Sequence, residues 1–155
     1  MSNNDYECLK LCNQLCFPLY AAARSVTSMY TPYLTPLGLT YTRYLVFLVL
    51  WENDGITVGE ICRRLMLDSG TVSPMLKKMR EQGYIQKHQS SDDERTFIIT
   101  LTEKGWALQQ EAKDIPQKIG ICLKLKPEKA KQLYDLLYEL LDNDNDNNNY
   151  NTKGE

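Results

Sequence analysis

The spacing of apolar residues divides the chain into helical segments at both ends and a short mixed segment between them. Leu9, Cys12, Cys16, Leu19, Tyr20 and Ala23 keep a helical rhythm, which predicts a helix over 7–30 with one defect at Pro18. After a turn at Thr35-Pro36-Leu37-Gly38, residues 41–51 are apolar nearly all round, the pattern of a buried helix. Asn53-Asp54-Gly55 ends it. Thr57-Val58-Gly59-Glu60 has the form of a capping box and opens a short helix to about Met66. Asp68-Ser69-Gly70 caps the next helix, which turns Val72, Met75, Leu76 and Met79 to one face and accommodates Pro74 only near its first turn. Gly83 closes that helix.

The periodicity then changes. Tyr84 to Lys87 and Thr96 to Leu101 read as two strands around the polar turn Gln89 to Arg95. Thr102 caps a helix through Ala112, Pro116 interrupts, and residues 127–141 form a last amphipathic helix with Leu133, Leu136, Leu137, Leu140 and Leu141 inward. A short helix, a tight turn, a second helix and a hairpin make a winged helix-turn-helix, so the predicted class is mainly α (α+β) with flanking dimerisation helices. The expected domain is residues 1–141. Its dimerisation helices fall at about 7–50 and 103–141, and its DNA-binding part at about 56–101. The surplus apolar surface at both ends suits a two-fold dimer on a two-fold, palindromic operator.

Charge refines this picture. The formal net charge of −2 at pH 7 is set by the tail. Residues 142–155 hold four acids against one lysine, whereas residues 62–95 hold seven bases against five acids. The Asn/Asp-rich tail is expected to be disordered, because it has too little apolar surface to bury. The longest apolar run, Tyr44 to Trp51, is far too short to cross a membrane, and the N-terminal residues lack the basic-then-apolar order of a secretion signal. A cytoplasmic protein with no membrane partner is the expectation.

Within the basic middle, Ser69, Thr71 and Ser73 put hydroxyls at the start of the recognition helix, with Lys77, Lys78 and Arg80 following as phosphate contacts. Arg95, held by Asp93, is placed to enter a narrow minor groove. The competing readings are a capped, solvated helix face and a plain surface ion pair. Five cysteines without an export signal are expected as free thiols rather than disulfides. Cys8, Cys12 and Cys16 recur every four residues and would line one helix face. No histidine lies near them, so neither a metal nor a cofactor is expected. Cys8, Cys12 and Cys62 read as small packing residues, and Trp51 and Trp106 as packing aromatics.

Several separate matches then carry a resemblance. Asp93-Glu94-Arg95 followed by Leu101-Thr102 resembles the wing signature of the MarR family of bacterial regulators. Gln14-Leu15-Cys16-Phe17, Leu19-Tyr20, Leu39-Thr40-Tyr41, Leu48-Val49-Leu50-Trp51-Glu52, Leu67-Asp68-Ser69-Gly70-Thr71 and Pro74-Met75-Leu76-Lys77 resemble its organic-hydroperoxide-sensing branch. Pro18 and Arg43 depart from the residues common in that branch. The resemblance implies a dimeric repressor that releases double-stranded DNA when a thiol is oxidised, with an oxidant or small thiol as signal. Cys16 corresponds to the reactive cysteine. Tyr30 and Tyr41 correspond to tyrosines that reach it from the partner subunit, and Tyr20 lies nearby. Part of the family resolves the oxidised thiol with a second cysteine. Cys122, six residues past Pro116, is the candidate here, with Cys8 and Cys12 as competitors. Two other functions compete: a regulator of this fold answering to a phenolic or drug-like ligand, and a thiol peroxidase-like enzyme.

Overall fold

The computed structural model describes residues 6–90, 93 and 95–151. Two compact units divide at Ile119/Gly120. In the first, two short 3-10 turns (Glu7–Leu9, Leu11–Asn13) precede α1 (Cys16–Met29), α2 (Thr31–Leu34) and α3 (Tyr41–Glu52). Then follow β1 (Ile56–Thr57), α4 (Val58–Leu65), α5 (Ser69–Glu81), β2 (Ile85–Gln89), β3 (Phe97–Leu101) and α6 (Glu103–Ala112). The helix α7 (Ile115–Leu123) spans the division, and the second unit carries α8 (Pro127–Asn151). This is the predicted mainly helical winged fold.

The single helix expected over 7–30 is not formed. Gln14 is extended (φ −100°, ψ 112°), and α1 begins only at Cys16. A proline ring crowds the carbonyl four residues before it, and that residue is Gln14. Pro18 therefore sits in the first turn of α1, where a missing N–H costs nothing, and it starts the helix rather than kinking it. Cys8 and Cys12 consequently do not share a helix face with Cys16. Pro116 acts in the same way at the second position of α7, a helix the apolar pattern did not reveal.

The core gathers around α3, whose Tyr44, Val46, Phe47, Val49 and Leu50 are buried, as its all-round apolar pattern requires. Ile61 of α4, Val72, Leu76 and Met79 of α5, and Ile85, Ile99 and Leu101 of the sheet close against it. Thr40 caps α3, accepting from the Arg43 amide. Thr57 caps α4 by accepting from the Glu60 amide at 3.0 Å, but the expected capping box is only half formed. The Glu60 carboxylate turns outward and takes two bonds from the Arg63 guanidinium, at 2.9 and 2.6 Å.

The sheet has the order β1-β3-β2, antiparallel throughout. Register pairs Ile85 with Leu101, Lys87 with Ile99 and Gln89 with Phe97. The two-residue β1 was not foreseen. It pairs Ile56 with Ile99, and Asp54 fixes the neighbourhood by accepting from the Leu101 amide at 2.8 Å. Gly83 (φ +76°) makes the left-handed turn from α5 into β2. Gly105 has a different role: a Cβ there would lie 2.3 Å from the Tyr84 carbonyl oxygen, so the strand and α6 meet backbone to backbone.

The second unit departs from expectation in two ways. The leucines of α8 do not turn inward within the chain; Leu133, Leu136 and Leu140 are exposed at 46, 63 and 46%. The backbone of α8 also runs through the Asn/Asp-rich segment to Asn151, where a disordered tail was expected. Helix propagation needs only one further hydrogen bond per residue, so a long preceding helix can carry poor formers with it. Residues 152–155 lie outside the described residues.

Candidate nucleic-acid interface and thiol site

Asp68 shapes the start of the recognition helix α5. Its carboxylate accepts from the Thr71 amide at 2.8 Å and from the Thr71 hydroxyl at 2.7 Å. Those bonds stabilise the charged form and hold its pKa below the usual carboxylate range. Thr71 is thus occupied in the cap. Ser69, Ser73, Lys77, Lys78 and Arg80 are all exposed. With Val72, Leu76 and Met79 anchored inward, helical spacing puts Ser69, Ser73, Lys77 and Arg80 along one flank and Lys78 on another. Pro74 lies at the sixth position of α5, beyond the first turn expected to confine it, and the helix continues through it.

In the wing, Asp93 does not hold the Arg95 guanidinium. Its carboxylate accepts from the Arg95 amide (2.9 Å) and the Thr96 hydroxyl (2.8 Å), and its carbonyl from the Thr96 amide (2.9 Å). The Arg95 bond, then that of Thr96, lower the Asp93 pKa. Asp93 builds the turn and Arg95 projects from it, exposed, beside a groove shared with Thr57, Gly59 and Phe97. Spacing alone suggested a side-chain grip, but the Asp-x-Arg tight turn satisfies backbone amides before the guanidinium.

Cys16 is the first residue of α1 and is exposed. Tyr20 is one helical turn on, on the same face, with the Arg24 guanidinium 5.5 Å from its ring centroid. Phe17, Tyr20, Arg24, Ser28, Thr31 and Tyr41 line an open cleft of about 660 Å³. The Tyr41 and Tyr30 rings meet at a tilt of 58° with centroids 4.8 Å apart, and Tyr30 meets Tyr44 at 43° and 5.8 Å. Burial raises the Tyr30 pKa, and burial with Tyr30 beside it raises that of Tyr41. Both phenols stay protonated donors at physiological pH. Within one chain no described hydrogen bond joins Cys16 to either.

Cys122, in the last turn of α7, is exposed. Cys8 and Cys12 are exposed rather than packed, in two 3-10 turns that bury no residue; Cys62 is half-buried. Trp51 packs as expected, stacked on Phe47 at 5.3 Å with its indole donating to the Gly105 carbonyl at 3.1 Å. Trp106 does not, with 41% of its surface open. Arg43, marked in the sequence only as a departure from the family pattern, donates to the Gly38 carbonyl (3.4 Å) and to Gln82 Oε1 (3.1 Å). Sequence spacing has no signal for a pair thirty-nine residues apart.

A capped helix presenting hydroxyls and bases beside a three-stranded wing defines a winged-helix DNA-binding protein. The family model for the transcriptional regulators SarA/Rot matches residues 28–112. The organic hydroperoxide resistance transcriptional regulator of Bacillus subtilis is 47% identical over 139 residues, covering 90% of this chain and 95% of the relative. The regulator SarZ of Staphylococcus haemolyticus is 35% identical over 134 residues, 86% of this chain and 91% of its own. A structure of reduced AbfR bound to DNA superposes with a TM-score of 0.73 at 34% identity, covering 88% of this chain and 96% of that one. A disulfide-formed AbfR superposes at 0.60 with 38% identity, covering 91 and 99%. The chain belongs to this family, the SarA/Rot transcriptional regulators, and is similar to an organic-hydroperoxide resistance regulator. It is a DNA-binding transcriptional regulator, which removes the thiol-peroxidase alternative.

Proposed function

We propose that this regulator is a cytoplasmic homodimeric repressor that leaves a palindromic operator when Cys16 is oxidised by an organic hydroperoxide. The observation that carries the reading is the placement of Cys16. It is an exposed thiol at a helix start, one turn from Tyr20 at the rim of the Tyr41 cleft. Its sulfur attacks the terminal peroxide oxygen, the O–O bond breaks, and the alkoxide leaves as the alcohol after taking a proton. Cys16 becomes a sulfenic acid. Tyr30 and Tyr41, kept protonated by burial, supply hydrogen bonds to the reacting sulfur when the partner subunit brings them to it.

The DNA-binding surface in this reading comprises Ser69, Ser73, Lys77, Lys78 and Arg80 on α5 and Arg95 on the wing, with Thr71 and Asp93 shaping the two backbones. The exposed leucines of α8 and the open apolar residues Leu15 and Phe17 support dimer formation, since so much apolar surface is unfavourable in water. Cys122 of the partner subunit is the resolving thiol: it attacks the sulfenic sulfur, releases water and forms an intersubunit disulfide. The existence of a disulfide-formed AbfR supports that step. The deciding experiment measures DNA binding by wild type and Cys16→Ser with and without an organic hydroperoxide. Release of wild type alone is expected; release of both overturns the reading.

A second reading has its own support. The 660 Å³ cleft combines aromatic walls with the Arg24 cation, a fit for a phenolic or aromatic carboxylate effector. Release of Cys16→Ser protein by such a compound favours it.

A further inference from the structure

A second concavity separates the recognition helix from the wing. It measures about 200 Å³; Ser73, Lys77 and Arg80 enter it from α5 and Lys87 from β2, over a floor of Leu76 and Ile85. No carboxylate lines it, and no described ion pair engages Lys77, Arg80 or Lys87. Lys87 was not among the residues that the sequence marked. Its ammonium lies 3.8 Å from the centroid of the Phe97 ring, so the ring's negative face holds it at the wing side of the cleft. Three cations facing one apolar-floored space repel each other until an anion enters, and the low-dielectric floor strengthens their attraction for one.

We propose that Lys87 joins Lys77 and Arg80 to clamp one DNA backbone phosphate between recognition helix and wing. The walls of the cleft select that occupant. When α5 enters the major groove and the wing reaches the adjacent backbone, the strand between them passes the mouth of the cleft. Ser73 adds a hydroxyl donor to the phosphate oxygens, and such contacts fix register without reading sequence. This inference rests on DNA binding by the chain and concerns how one strand is held.

The test uses full-length protein and two duplexes of equal length, one selected for binding and one of random sequence. Wild-type binding to either establishes the DNA-binding premise independently. Lys87→Gln is expected to weaken both duplexes by the same factor and to lower the slope of log K against log salt by about one per protomer. Lys87→Arg restores the slope. The control Lys129→Gln, which removes an equal charge from α8, leaves it unchanged. An unchanged slope in Lys87→Gln overturns the clamp, as does an equal fall in Lys129→Gln, which would mean diffuse charge alone. Loss of only the selected duplex also overturns it, because a phosphate contact does not discriminate bases. Titration with inorganic phosphate separates a free-anion site: protection of wild type but not Lys87→Gln against thermal unfolding, with no slope change, assigns the cleft to a small ligand instead.

Discussion

The Arg43 guanidinium donates to the side-chain oxygen of Gln82 at 3.1 Å, tying the start of α3 to the residue that ends the recognition helix. Arg43 also reaches the Gly38 carbonyl three residues before Tyr41, and Lys104 holds the Gln82 carbonyl at 2.8 Å from the other side. A cation at a helix C-terminus complements its dipole as well. The end of α5 is therefore pinned by two bases from two different helices. Arg43→Ala should free it: amide exchange at 82–84 is expected to accelerate, with a stability loss of about 1 kcal/mol or less because the pair is exposed. Unaltered exchange would show that Lys104 alone holds the end.

Tyr44 is 2% exposed, and its pKa is pushed up to about 12 by burial first and then by the neighbouring Tyr30 and Tyr41. A folded-state pKa above the unfolded value of 10.0 favours the protonated form in the fold. That stabilisation is whole below pH 10 and is lost as pH rises toward 12. Unfolding free energy should fall by roughly 1–2 kcal/mol across that window. In Tyr44→Phe the fall should shrink, as measured by denaturant titration at each pH.

Asp68 gives the opposite sign. Its pKa is lowered by the bonds from Thr71, so its contribution is present above the ordinary carboxylate value of 3.8 and disappears as pH falls through the lower folded value. Asp68→Ala should therefore cost stability at pH 7 and much less at pH 2. Equal losses at both would mean that the cap works without its charge.

Gly105→Ala should be severe. The added methyl would meet the Tyr84 carbonyl oxygen at 2.3 Å and Leu101 Cδ2 at 2.9 Å, and backbone cannot rotate away as a side chain can. A loss of about 3 kcal/mol is expected, together with a displaced wing and weaker DNA binding. A melting point equal to wild type would refute the close approach.

Leu136, 63% exposed on α8, and Leu140 one turn on tell whether this face is an interface between copies. Sedimentation of the wild type is expected to give a dimer, and Leu136→Asp with Leu140→Asp a monomer that binds operator DNA at least tenfold more weakly. A double variant that stays dimeric would place the interface elsewhere.

Much of this architecture was legible in residue order because its signals are local. A helix hydrophobic on all sides must be central, and Tyr41–Glu52 is. Threonines and an aspartate before helical patterns are caps, and Thr57, Asp68 and Thr102 all accept the third amide on. The motif matches likewise pointed to the family, since they span the chain in order.

Other features depend on which segments meet in space. The direction of Pro18 was ambiguous: the same ring that breaks a helix begins one, and only the extended Gln14 decided between them. β1 is two residues long, too short for any alternation, and exists because Ile99 offers it a partner. Asp93 was read as gripping a side chain, but the folded turn brings it to backbone amides first. Lys87 was an unremarkable strand residue until β2 lay beside α5, and Arg43 a departure from a motif until Gln82 arrived next to it. Sequence by itself determined the helices, their caps and their buried faces, because hydrogen bonding and burial within a few residues follow from side-chain chemistry. Tertiary structure alone decided the charge constellations, since Coulomb interactions and hydrogen bonds depend on separation in space, which position in the chain does not encode.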